Sequence, residues 1–280
     1  MQFGLRLHDA KEAVLEERLS IAAKQGFTCA HLALSKTIKE HSIKDSALTP
    51  GFAMHLGKQF TKHNLDVAVL GCYLNLANPN QETLKKTINR YKTHIRFASH
   101  LGCGVVGTET GCVNEAYEYE PACHTEEALE TFINNLKGIV KYAEQMGVIF
   151  AIEPVWSHIV YNGVQARKVL DAINSPNLQI IFDPVNLLCY ENYENREMII
   201  NEAIELLAED IAVIHLKDFV VEGNNLKSVA AGTGLMNYDN ILAFAKKEKP
   251  YIHATLENTT PDNAVRAREF LQNIYDSVSV

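Results

Sequence analysis

Short apolar runs alternate with longer amphipathic stretches along the whole chain, and this alternation restricts the possible folds more than any other feature. The first apolar run covers residues 3–7, and an amphipathic stretch over residues 10–25 follows it. Apolar runs of this length, each followed by a stretch with helical period, predict strands that alternate with helices. Because strands joined through helices pair in parallel, the sequence predicts an α/β protein.

The same strand-then-helix unit recurs seven more times. These units are residues 29–34 with 50–63, 65–70 with 81–101, 104–107 with 125–146, 148–152 with 163–173, 178–182 with 195–207, 211–216 with 237–247, and 251–256 with 261–275. Eight units in 280 residues favour a closed (β/α)8 TIM barrel, with an open doubly wound sheet as the alternative. No linker or change of composition divides the chain, so we expect a single domain over residues 1–280.

The composition argues against several kinds of protein. Apolar residues make up 47% of the chain and charged residues 21%, which is an ordinary globular mixture. The net charge is −8 and no basic block is present, so we expect no nucleic-acid partner. The longest apolar runs are about five residues, far below the length of a membrane span, so we expect no membrane partner. The start of the chain does not resemble a signal peptide, and its six cysteines form no CxxC pair, which favours a cytoplasmic protein with free thiols.

Polar residues close four consecutive predicted strands. Glu153 follows the fifth apolar run, Asp183 the sixth and Glu257 the eighth, while His215 lies near the end of the seventh. Active sites of TIM barrels lie at the carboxyl ends of the strands, and residues two apart share one face of a strand. We therefore expect these four side chains to point into the barrel mouth at one height. The large residues just before them are expected to face the helices: Ile152, Phe182, Ile214 and Leu256.

Three carboxylates at one height repel each other unless a cation offsets their charge. One divalent ion held by Glu153, Asp183, His215 and Glu257 would meet this need, and the mixture of oxygen and imidazole ligands suits Mn²⁺, Mg²⁺, Co²⁺ or Zn²⁺ without choosing among them. The alternative is that each residue is an ordinary polar residue at a strand end that caps the turn after its own strand. The recurrence on four successive strands favours the metal site.

The segments around these residues resemble the xylose isomerase-like superfamily of sugar phosphate isomerases and epimerases. The resemblance covers the whole chain, and its sharpest motifs are AIEP at 151–154, FDPVN at 182–186, IHLKD at 214–218, GTG at 232–234 and LEN at 256–258. It implies a TIM barrel in which Glu153, Asp183, His215 and Glu257 hold one catalytic divalent ion. It also implies that Glu153 and Glu257 move protons and that the substrate is a small sugar or polyol, free or phosphorylated.

That chemistry agrees with the residues. Isomerisation or epimerisation beside a carbonyl needs a base to remove a proton, an acid to return one, and a positive centre for the developing enediolate. Glu153 and Glu257 are the catalytic candidates, and either could be the base. Barrels of this group often pair, so a homodimer is expected.

Further polar residues near the predicted mouth are candidates for binding the substrate. They are His158, Lys217, Asn186, His31, Glu109 and Arg6. We expect Asp218 to orient a ligand and Trp156 to wall the pocket. Asn186 stands where the ketose 3-epimerases of the family tend to carry histidine, so their substrate specificity is not implied.

Three other functions fit parts of the sequence. A dehydratase acting on an inosose-type keto-polyol would use the same metal and the same proton abstraction but would expel water. An apurinic-site endonuclease shares the barrel, yet it uses a multinuclear zinc centre with more histidines. A noncatalytic sugar-binding barrel would be favoured if a ligand position were lost, and all four are retained.

Overall fold

Eight parallel strands close into a barrel in the computed structural model, which describes residues 1–279. The barrel strands in chain order are β1 (Gln2–Arg6), β2 (Cys29–Ala33), β3 (Asp66–Gly71), β4 (Val105–Glu109), β5 (Ile149–Glu153), β6 (Leu178–Phe182), β7 (Ile211–Leu216) and β10 (His253–Leu256). Each pairs with the next in this order, and β10 pairs with β1 to close the ring. This confirms the predicted TIM barrel and excludes the open sheet.

Helices connect the strands and surround the barrel. They are α1 (Leu15–Lys24), α2 (Leu34–Thr37), α3 (Pro50–Lys62), α4 (Gln81–Leu101), α5 (Glu126–Met146), α6 (Gly163–Ile173), α7 (Arg196–Leu207), α8 (Asp239–Glu248) and α9 (Ala264–Ser277). Side-chain oxygens of Asn80 and Thr125 cap the starts of α4 and α5, and left-handed glycines end both helices, at Gly102 and Gly147. In the part of the chain that the structure describes, no helix is long and apolar enough to span a bilayer.

The first helix begins later than the prediction of residue 10. The buried guanidinium of Arg18 donates to the carbonyl of Leu7 at 2.9 Å and to the carbonyl of Ala13 at 2.8 Å. Both bonds hold the preceding segment as an irregular connection, and the bond to Ala13 satisfies a backbone carbonyl that a helix starting at residue 10 would have used internally. The apolar period alone did not reveal this side-chain contact.

Strand side chains alternate between two cores, as predicted. The outward residues Ile152, Phe182, Ile214 and Leu256 are at most 1% exposed and pack with the helices. A small inner cluster, which consists of Val69, Ala151, Ile181 and Val213, fills the barrel. Because residues two apart share a face, the next inward side chains on β5, β6 and β7 lie directly above this inner cluster. Those side chains are Glu153, Asp183 and His215.

The connection between β7 and α8, for which the repeated units predict neither strand nor helix, contains a hairpin formed by β8 (Asp218–Glu222) and β9 (Asn225–Val229). Its turn includes Gly223, whose φ of 61° suits glycine. The Asp218 carboxylate, expected to orient a ligand, instead accepts backbone N–H groups from Phe219, Gly232, Gly234 and Met236 at 2.8–3.1 Å. Asp218 therefore fixes the fold of this connection next to the mouth.

Candidate metal centre and substrate cavity

The four predicted ligands meet at the carboxyl ends of β5, β6, β7 and β10. His215 Nδ1 lies 3.4 Å from Glu257 Oε1 and 3.5 Å from Glu153 Oε2. Ligand atoms of Glu153, Asp183 and His215 all lie within 4.8 Å of one another. All four residues are buried, with Glu257 the most exposed at 5%. Period-two alternation turns these side chains inward. The stagger of the tilted strands sets their heights, since His215 pairs with Thr255, two residues before Glu257.

Two of the carboxylates are oriented by the turn that follows β6. Asp183 Oδ1 accepts the backbone N–H groups of Val185 at 3.0 Å and Asn186 at 3.2 Å, and this local turn fixes the direction of the aspartate. The Asn186 side chain donates to Glu153 Oε1 at 2.6 Å. Asn186, a predicted substrate-binding residue, thus orients Glu153 and leaves Glu153 Oε2 facing His215.

Cations hold the remaining carboxylate oxygens. Lys217 Nζ lies 2.7 Å from Asp183 Oδ2 and 3.4 Å from Glu257 Oε2, and Arg6 Nη1 lies 3.2 Å from Glu257 Oε2. The chain turns away immediately after Glu257 through Asn258, whose φ is 54°, a left-handed conformation that asparagine tolerates well. Glu257 therefore presents Oε1 to His215 and Oε2 to the two cations.

The crowded charges perturb each other strongly. Burial disfavours a charged imidazole, but Glu257 and Glu153 outweigh it and raise the pKa of His215 to about 9. Burial, opposed by Lys217 and reinforced by Glu153, raises the pKa of Asp183 to about 6. Burial alone would also raise the pKa of Glu257, but His215 and Lys217 outweigh it and lower that pKa. The centre attracts positive charge, which a divalent cation could supply.

The donor set fits such an ion. In residues 1–279, neither ring nitrogen of His215 has a hydrogen-bond partner although the ring is completely buried. A buried nitrogen without a partner is costly unless something else binds it. Glu153, Asp183, His215 and Glu257 offer the carboxylate and imidazole ligands that Mn²⁺, Mg²⁺, Co²⁺ and Zn²⁺ accept. His31 forms a second grouping with His215 and Glu257, so its Nδ1 is a rival ligand.

A cavity of about 350 Å³ opens beside this centre at the barrel mouth. Its lining consists of side chains with polar ends: Arg6, His8, His31, Lys36, Tyr73, Glu109, Tyr117, Glu153, Asn186, Lys217 and Glu257. A cavity of this size and polarity suits a small, highly hydroxylated molecule better than an apolar one.

Five of the six predicted substrate-binding residues line the cavity: Arg6, His31, Glu109, Asn186 and Lys217. The sixth, His158, lies behind the wall, with its ring 5.1 Å from the ring of Tyr117 and its Nε2 4.0 Å from Glu109 Oε2. Trp156 lies farther out, with its ring 4.9 Å from that of Tyr119, beside a separate surface depression. Trp156 is thus not among the cavity walls, contrary to expectation.

Four cavity residues are not among the site residues predicted from the sequence: His8, Lys36, Tyr73 and Tyr117. Tyr73 follows β3 by two positions, so its strand-end location was an available signal. Tyr117 lies in the long segment between β4 and α5, and its hydroxyl donates to Glu109 Oε2 at 3.1 Å. Its left-handed φ of 60° was not predictable from the local sequence.

Comparison with known proteins agrees with this architecture. The family model described as "Xylose isomerase-like TIM barrel" matches residues 19–274. The chain belongs to this family. It is also similar to 3-oxo-isoapionate decarboxylase of Pectobacterium atrosepticum, with 29% identity over 135 residues. That match spans 45% of this chain and 45% of the relative's own length.

Solved structures of other proteins share the whole fold. The IolI protein, solved with a bound zinc atom, superposes with a TM-score of 0.77 at 17% identity, covering 100% of this chain and 99% of its own. A D-tagatose 3-epimerase-like protein has a TM-score of 0.78 at 20% identity, covering 99% of this chain and 98% of its own. At these identities the likeness establishes the shared barrel.

Proposed function

We propose that this protein is a divalent-metal-dependent sugar or polyol isomerase or epimerase. In this proposal it moves a proton at the carbon next to a carbonyl group of a small substrate, with or without a phosphate. Glu153, Asp183, His215 and Glu257 would hold the ion. The bound ion would polarise the carbonyl group and stabilise the negative charge that develops on its oxygen.

One observation carries the proposal: two glutamates flank His215, and each has one oxygen directed to the centre and one held from outside. Glu153 Oε1 is held by Asn186, and Glu257 Oε2 is held by Arg6 and Lys217. Such a pair can remove a proton from one side of a substrate carbon and return one at the other side or at a neighbouring carbon. The outer contacts keep both carboxylates in fixed positions during the transfer.

The remaining cavity residues would bind the substrate. Lys217 and Arg6 lie close enough to Glu257 to donate also to a substrate oxygen near that carboxylate. Burial and the neighbouring His215 lower the pKa of His31 well below its usual value, so His31 would act as a neutral hydrogen-bonding group. The polar cavity lining supports a polyhydroxylated substrate.

A lyase reaction is the second candidate, and the observation that favours it is the relative named 3-oxo-isoapionate decarboxylase. Loss of carbon dioxide from the carbon beside a carbonyl would develop the same negative charge on the carbonyl oxygen. The inosose-type dehydratase predicted as an alternative would also begin with proton abstraction. Product analysis separates these outcomes, because only the isomerase conserves the substrate formula.

The test is deuterium uptake from D₂O by ketoses, aldoses, inososes and their phosphates in the presence of each candidate metal. We expect Glu153→Gln and Glu257→Gln each to lower the rate of exchange about 10²–10⁴-fold, since an amide cannot transfer the proton. Glu130→Gln, an exposed site on α5, is the matched control and should exchange at the parent rate. Exchange at the parent rate by either cavity variant would contradict the two-glutamate proposal.

The cytoplasmic location and the homodimer are also proposed. They rest on the composition of the chain and on the pairing habit of related barrels. Light scattering of the purified protein would test the second, with twice the monomer mass of 31.3 kDa as the expected result.

A further inference from the structure

We propose that the substrate carries a carboxylate group, which Lys36 binds at the β1–β2 side of the cavity. This inference rests on the proposed function for the reaction itself and adds the chemical class of the substrate. Lys36 lies on the short helix α2, directly after β2, and lines the cavity mouth. Its side chain is exposed to the solvent from which a substrate enters.

Lys36 differs from the other cavity cations because its charge is unpaired. In residues 1–279, no carboxylate lies within 4.0 Å of its Nζ, and the ammonium group makes no hydrogen bond. Arg6, by contrast, donates to both oxygens of Asp9, at 2.9 Å and 3.1 Å, and contacts Glu257. Lys217 is occupied by Asp183 and Glu257.

The surroundings of His8 include two cationic side chains at this corner of the cavity, with Glu257 as an opposing charge. Burial and the charges of Arg6 and Lys36 lower the pKa of His8 to about 4, so the imidazole is neutral near pH 7. The His8 side chain lines the same cavity as Lys36. A neutral imidazole beside an unpaired ammonium group is a suitable polar environment for one carboxylate.

The carboxylates around this corner already have partners, since Asp9 and Glu257 both contact Arg6. Glu109 attracts Lys36 through space, yet it accepts a hydrogen bond from Tyr117 and faces His158 on the β4–β5 side. The described residues therefore leave one unpaired cation at the β1–β2 side of the cavity, while Glu109 and Glu153 lie at the β4–β5 side. A substrate with one acidic end would bind in a single orientation between them.

The charge of the corner favours a carboxylate over a phosphate ester. One unpaired ammonium group matches one negative charge, whereas a phosphate ester carries between one and two negative charges at neutral pH. Phosphate sites in proteins also commonly use several N–H donors of a helix N-terminus or a loop.

The experiment compares three probes that share a ketohexose framework and differ at carbon 6. They are D-fructose, D-fructuronate with a carboxylate, and D-fructose 6-phosphate. Binding to the metal-loaded protein is measured by calorimetry for the parent protein and for Lys36→Met, Lys36→Arg and Lys24→Met. Lys24 is an exposed lysine at the end of α1 and serves as the matched charge control.

We expect D-fructuronate to bind most tightly to the parent protein. Lys36→Met should lower the affinity for D-fructuronate about fivefold, which is the range for a solvent-accessible ion pair. Its affinity for D-fructose should stay within about twofold of the parent value. Lys36→Arg should keep the preference, and Lys24→Met should change nothing. Any of four results would overturn the inference. The parent protein could bind D-fructose 6-phosphate more tightly than D-fructuronate, bind D-fructose as tightly as D-fructuronate, or not bind D-fructuronate. Lys36→Met could also keep the parent preference for D-fructuronate.

Deuterium exchange measured on the same samples separates this inference from the proposed function. Exchange that depends on Glu257, together with no preference for the acid, would overturn the carboxylate assignment alone. Binding of D-fructuronate that depends on Lys36, together with no exchange into any ketose, aldose or inosose, would overturn the isomerase alone.

Discussion

The two halves of the barrel mouth differ in how their polar side chains are held. On the half formed by β5, β6, β7 and β10, the strand-end residues are almost fully buried and lie within a few ångströms of each other. On the half formed by β1 to β4, the polar residues are spread around a larger opening, and Lys36 is exposed to solvent. The first half concentrates negative charge, and the second offers hydrogen-bonding groups to a ligand.

Under the proposed function, this difference would separate reaction chemistry from substrate recognition on one ring of strands. Charged groups in a buried cluster interact strongly, so they stay together only with compensating cations such as Lys217 or a metal ion. Solvent-exposed groups on the more open half, such as Lys36, are screened by water and can be substituted at smaller cost. Substitutions should therefore affect metal binding on one half and substrate preference on the other.

The largest expected change in metal affinity comes from substitution at one of the two stacked histidines, which face each other across the boundary between the two halves. The rings of His31 and His215 are 5.4 Å apart and nearly parallel, and both are buried. We expect His215→Ala to weaken binding of Mn²⁺ or Zn²⁺ at least about 100-fold, because a direct ligand is lost. Mutation of residues that only orient a ligand typically lowers metal affinity 10–100-fold. His31→Ala should change metal affinity less than about fivefold.

Calorimetric titration of the metal-free variants measures both effects. The comparison between the two halves is contradicted if His31→Ala loses the metal and His215→Ala keeps it. In that case His31, with Glu257 and a neighbour, would belong to the ligand set, and the boundary between the halves would move to β2.

A smaller loss of metal affinity is expected on substitution of Asn186, which would act on a bound ion only through Glu153. Its amide donates to Glu153 Oε1, so Asn186→Ala frees that carboxylate to rotate and should lower metal affinity about tenfold. Asn186→Asp also removes this hydrogen bond, and it places a second carboxylate where it would repel Glu153. Unchanged affinity in Asn186→Ala, measured by competition with a chelator, would show that Glu153 needs no support.

The sequence predicted the buried half of the site better than the open half. Glu153, Asp183, His215 and Glu257 each lie at the end of a strand, and period-two alternation is sufficient to aim them inward. The inner cluster of Val69, Ala151, Ile181 and Val213 follows the same rule. These features depend on short-range pattern and on barrel closure, which the repeated units had indicated.

The open half depends on connections whose conformation no periodicity describes. Lys36 reaches the mouth because α2 forms immediately after β2, and Tyr117 reaches it through a left-handed residue in a long connection. The outward position of Trp156 and the loop-fixing role of Asp218 are likewise set by contacts between segments distant in sequence. Such contacts appear only when the whole chain is folded.

The metal centre itself is the central claim, and anomalous diffraction tests it most directly. Crystals of the full chain grown with Mn²⁺ should show, in data collected at the manganese absorption edge, one strong peak among Glu153, Asp183, His215 and Glu257. Crystals of His215→Ala prepared identically serve as the control and should lack that peak. A peak elsewhere, or no peak in the parent protein at saturating Mn²⁺ or Zn²⁺ measured at its own edge, would contradict the account.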